Sequence, residues 1–98
     1  MSSVCMSHAM KNTRIHPAKN QVGPRIRKAR RRAIPEITQE DLAGRLAVLG
    51  VFLDRSAISR VESQDRYLMD FEVAAIAKSL KVPVAWLFGE GEGAPDRP

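Results

Sequence analysis

The sequence predicts an all-α domain of five short helices, and three observations carry that prediction. Apolar residues recur at helical spacing in three stretches: Ile26, Ala29 and Ala33; Leu42, Leu46 and Leu49; Val73, Ile76, Ala77 and Leu80. Residues that favour helix starts (Pro24, Thr38, Asp54, Asp70 and Pro83) precede helical stretches, and Gly50 and Gly89 follow two of them. The chain has 98 residues, enough for one small core and too few for a deep catalytic cleft.

Residues 1–21 lack apolar periodicity and are read as a flexible basic N-terminal arm. The first helix opens at Val22-Gly23-Pro24, where the missing N–H of Pro24 would have been unpaired anyway. Pro35 limits it to about residue 33. Ile26, Ala29 and Ala33 share its inner face, with Arg27, Lys28 and Arg31, and at its margin Arg30, around the rest. Thr38 caps the second helix, and Asp41, three residues on, completes a capping box. That helix runs to about Leu49 and stops at Gly50. Gly44 inside it costs about 1 kcal/mol relative to alanine, so close approach to another backbone is expected there.

Val51-Phe52-Leu53 is expected to fold over the core, within a connection too long for a minimal helix-turn-helix. Asp54 or Ser56 caps the third helix, which turns Ala57, Ile58 and Val61 inward and Arg55, Ser56, Ser59 and Arg60 outward. A polar loop, Ser63 to Leu68, leads to Asp70 as cap of the fourth helix. Pro83 starts a fifth, Val84 to Phe88. The domain therefore spans 22–89, and 90–98 is read as a disordered tail.

Charge is uneven along the chain. There are 16 Lys and Arg against 11 Asp and Glu, a net charge of +5. Residues 1–34 hold nine basic side chains and no acid; the remainder carries a net −4. Six of the nine (Arg25, Arg27, Lys28, Arg30, Arg31 and Arg32) crowd into eight residues, where they repel one another unless an external anion relieves them. A polyanion is the natural partner.

The single cysteine, Cys5, cannot form an internal disulfide, which suits a reducing cytoplasm. Cys5, His8 and His16 have no second half-site, so neither metal nor other cofactor is expected. No stretch is apolar enough to span a membrane. No nucleophilic triad, phosphate loop or paired carboxylates can be made out, so enzyme activity is not expected.

Four pieces in order, Gly23-Pro-Arg-Ile-Arg-Lys-Ala-Arg30, Thr38-Gln-Glu-Asp-Leu-Ala43, Ser56-Ala-Ile-Ser-Arg-Val-Glu62 and Ala75-Ile-Ala-Lys-Ser-Leu-Lys-Val-Pro-Val-Ala-Trp-Leu-Phe-Gly89, give the chain a family likeness. It resembles the lambda-repressor-like, Cro-type helix-turn-helix DNA-binding proteins (the xenobiotic-response-element family) over about residues 22–89. The resemblance implies a second helix across the phosphate backbone, a third helix in the major groove, and symmetric dimers on palindromic operators.

By position, the resemblance assigns base reading to Arg55, Ser56, Ser59 and Arg60, where an arginine suits the O6 and N7 acceptors of guanine. It assigns a backbone contact to Gln39; the charge of the basic helix adds Arg25, Lys28 and Arg31, and the loop offers Arg66. It pairs Glu62 with Arg30, which would fix the third helix. Trp86, Leu87 and Phe88 belong first to the core, and their surplus apolar area offers a dimer seam. Two departures stand out. The connection between helices two and three is about five residues longer than the minimal form, and Ser63-Gln64-Asp65-Arg66 lacks the usual glycine.

The expected function is a cytoplasmic, nucleoid-associated regulator of transcription that binds double-stranded DNA by sequence, a repressor working as a homodimer. The rival expectation is a protein-interaction module, such as an antitoxin or adaptor, for which DNA contact is secondary.

Overall fold

The computed structural model describes residues 18–90. Among them are five helices and no strand: α1 Gly23–Arg32, α2 Gln39–Val48, α3 Arg55–Glu62, α4 Asp70–Leu80 and α5 Val84–Leu87. One core joins them. Ile26 of α1, Leu42 and Leu46 of α2, Ile58 and Val61 of α3, Ile76 of α4 and Leu87 of α5 are all fully buried in it. α2 packs on α3 and α4, and α1 on α3, α4 and α5.

Local chemistry sets where each helix begins. Pro24 sits in the first turn of α1, and Arg30, Arg31 and Arg32 fill its last turn, where cations suit the helix dipole. At α2 the capping box closes both ways. The Thr38 hydroxyl accepts from the Asp41 N–H and the Asp41 carboxylate accepts from the Thr38 N–H, each at 3.0 Å. The bond from the Thr38 N–H, and then the Thr38 side chain, hold the Asp41 carboxyl below its usual pKa. Asp54, not Ser56, caps α3, accepting from the Ala57 N–H at 2.8 Å.

The start of α4 departs from expectation by one residue. Asp70 is already helical and Met69 is the cap, because the Glu72 carboxylate reaches back to the Met69 N–H at 2.9 Å. Gly50, at φ +85°, ends α2 in a conformation that other residues adopt at a cost. The connection that follows threads alternately: Val51 and Leu53 enter the core while Phe52 stays 81% exposed. Leu49 caps α2 and is also partly exposed, outside the apolar stripe expected to include it.

The expectation for Gly44 is overturned. A Cβ built there meets nothing, so no backbone lies close to it. Gly23 makes the close approach instead: a Cβ at Gly23 would run into the Val61 carbonyl oxygen and lie 3.0 Å from that of Glu62. Gly44→Ala should therefore stabilise the fold by about 1 kcal/mol, read as a higher urea midpoint at unchanged slope. A lower midpoint would mean that Gly44 serves some contact not visible in the fold.

Residues 18–21, expected to belong to the arm, are held against the fold. Residues 18–22 lie against the turn after α3: Lys19 N–H donates to the Gln64 carbonyl at 3.0 Å, and Val22 is buried. The expectation for residues 1–17 and 91–98 lies outside the described residues.

Candidate nucleic-acid interface

α3 is divided sharply by its own periodicity. At about 100° per residue, Arg55, Ser59, Ser56 and Arg60 occupy an arc of roughly 140° on its outer side. All four are exposed, whereas Ile58 and Val61 opposite them are 1% exposed. Beside the start of that arc lies a depression of about 360 Å³ lined by Gln39, Asp54, Arg55, Ser56 and Ser59. The capped start of α2 adjoins it, so Gln39 and Arg55 share one edge of the surface. Hydroxyls and guanidinium groups displayed this way suit hydrogen bonding to base edges.

The base of this surface is held by a nearly buried ion pair. Arg30 Nε donates to Glu62 Oε2 at 2.8 Å and Arg30 Nη2 to Glu62 Oε1 at 2.9 Å, with side chains 8% and 5% exposed. Arg30 Nη1 also donates to the Ile37 carbonyl at 3.1 Å, and Gln39 Nε2 donates to Glu62 Oε1 at 3.1 Å. Two planar groups in fork geometry fix distance and angle together. The network thus joins α1, the 33–38 connection, the start of α2 and the end of α3.

The residues expected to contact phosphate do not all have free charges. Lys28 is exposed, and Arg31 is exposed with Glu36 at 3.8 Å. Arg25 departs from expectation: its guanidinium lies 4.5 Å from the centre of the Trp86 ring and donates to the Trp86 carbonyl at 2.9 Å, tying α1 to α5. Arg66 is also engaged, donating to the Tyr67 carbonyl at 3.1 Å and facing Glu72 at 3.6 Å. Both arginines thus hold the fold, and an approaching phosphate would compete with those bonds.

The dimer seam expected from Trp86, Leu87 and Phe88 is corrected in two of its three members. Trp86 and Leu87 are 2% and 1% exposed, spent on the protein's own core by the short α5; Phe88 alone remains 45% exposed. Cys5, His8, His16, Lys11 and Arg14 lie outside the described residues. Among the described residues no group of His, Cys, Asp or Glu has the arrangement of a metal site, and no helix is long and apolar enough to cross a membrane.

Sequence reasoning missed Asn20. Its side chain joins three backbone positions of the 61–66 turn and α1, and the only available hint was an asparagine two residues before a predicted helix. No protein-family model, curated protein or solved structure matches the chain.

Proposed function

We propose that this protein is a regulator of transcription that binds double-stranded DNA by sequence, with the lambda-repressor-like, Cro-type arrangement of helices. α3 enters the major groove, and the start of α2 lies over the phosphate backbone. Arg55, Ser56, Ser59 and Arg60 read base edges; Gln39, Lys28 and Arg31 add backbone affinity. The protein acts as a homodimeric repressor in the bacterial cytoplasm, setting two α3 helices about 34 Å apart on a palindromic operator. Occupancy of that operator excludes polymerase.

The observation that carries this reading is the division of α3. Its outer arc is wholly polar and exposed, while its inner face and its last residue are locked into the core and the ion pair.

A second reading, a protein-interaction module, is favoured by one feature. Phe52, 81% exposed, lines a groove of about 450 Å³ together with Ala43, Ala47, Leu53 and Ala57. Selection of bound sites from random duplex DNA decides between the two. The first predicts enrichment of a twofold-symmetric consensus. Recovery of unenriched sequence, together with a stoichiometric protein partner on purification, would favour the second.

A further inference from the structure

The segment before α1 is clasped to the far end of α3. Asn20 Nδ2 donates to the Val61 carbonyl at 3.1 Å and to the Arg66 carbonyl at 2.8 Å, while its Oδ1 accepts from the Gly23 N–H at 2.8 Å. Gln64 completes the clasp, its Nε2 donating to the Asn20 carbonyl at 3.0 Å and its own carbonyl accepting from the Lys19 N–H at 3.0 Å. Gln64 sits at φ +66°, where glycine would be at ease. A glutamine there gains the side-chain bond to Asn20 that glycine lacks.

This clasp and the ion pair hold α3 at two different places. Arg30 grips the Glu62 side chain, and Asn20 grips the Val61 backbone and the turn beyond it. With the first grip alone, Ile58 and Val61 still seat α3 in the core, but its last turn is no longer tied to the segment before α1, and the helix can tilt by a few degrees. α3 has eight residues, so at 1.5 Å per residue it is about 12 Å long, and a tilt of about 5° at Glu62 moves the Arg55 end by about 1 Å. Hydrogen bonds to base edges work within a window of about 0.5 Å, so such a tilt is enough to lose them. Lys28 and Arg31 stand on α1, so a tilt of α3 leaves their contacts to phosphate in place.

We infer that Asn20 is a positioning residue for base reading, which sets the angle of α3 through the Val61 and Arg66 carbonyls. The inference rests on the reading of α3 as the groove helix. It also separates discrimination from affinity: the loss of the clasp should cost the first and spare the second.

Two full-length variants test it. Asn20→Asp keeps the acceptor for Gly23 and replaces the donor with an oxygen facing two carbonyls. Gln64→Gly keeps the φ of the turn and removes the outer bond. Affinities for the selected site and for random duplex are measured across a salt series, with folding verified by circular dichroism. The expected result for Asn20→Asp is a roughly tenfold fall in the ratio of selected-site to random-duplex affinity, beyond the small equal loss on both DNAs that the added negative charge brings. Gln64→Gly should show a smaller fall of the same kind. A preserved ratio in the folded variants overturns the inference. So does a parallel loss on both DNAs, which would make the clasp a matter of stability or phosphate contact. If the wild-type chain itself shows no preference between the two DNAs, the reading of α3 falls, and the role of Asn20 with it.

Discussion

Glu62→Ala should lower folding stability by about 3–5 kcal/mol, the loss expected when one partner of a buried ion pair is removed. Arg30, 7% exposed in the fold, would keep only the Ile37 carbonyl as a hydrogen-bond partner in that network, and Gln39 would lose its acceptor. Small domains hold about 5–15 kcal/mol in all, so the urea midpoint should fall by roughly 2–3 M for a slope near 1.5 kcal/mol/M. Glu62→Gln, which keeps one acceptor oxygen, should cost about 1–3 kcal/mol. The pair Arg30→Met with Glu62→Leu separates stability from placement. It should recover most of the lost stability, because apolar replacement of a buried pair is often neutral, yet leave α3 without its fork-shaped anchor. A Glu62→Ala protein within 0.5 kcal/mol of wild type would show that the pair contributes little.

Gly23→Ala should destabilise by about 3 kcal/mol, at the upper end of what overpacking usually costs. The added methyl would meet main-chain oxygens of Val61 and Glu62, which cannot rotate away as a side chain can. Relief requires α1 to move off the end of α3, stretching the Asn20 and Arg30 bonds together. Hydrogen exchange at the amides of residues 61–66 should quicken along with the drop in midpoint. An unchanged midpoint would mean that the α1–α3 approach is looser than its geometry implies.

These two residues show what the sequence makes legible and what it does not. The all-helical class, the capping box at Thr38 and Asp41 and the polar outer arc of α3 follow from periodicity and cap chemistry within a few residues of chain. The Arg30–Glu62 pairing spans 32 positions and was reachable only through the family resemblance. Gly23 and Gly44 look alike in sequence, and only the tertiary approach of α3 to one of them separates their roles. Arg25 reads as one more cation of a basic run; its place over Trp86 depends on α5 folding back beneath α1. The clasp at Asn20 lay hidden for the same reason, its partners standing more than 40 residues away.

Arg55→Ala measured beside Lys28→Ala tests most directly whether the exposed arc of α3 distinguishes bases. On the selected site and its single-base variants, Arg55→Ala should erase the preference at one base position, a loss of about 1–3 kcal/mol on the cognate sequence alone. Lys28→Ala should weaken every sequence alike and lower the salt slope by about one. Equal losses on cognate and random DNA for both variants would contradict the assignment of α3 as the reading helix.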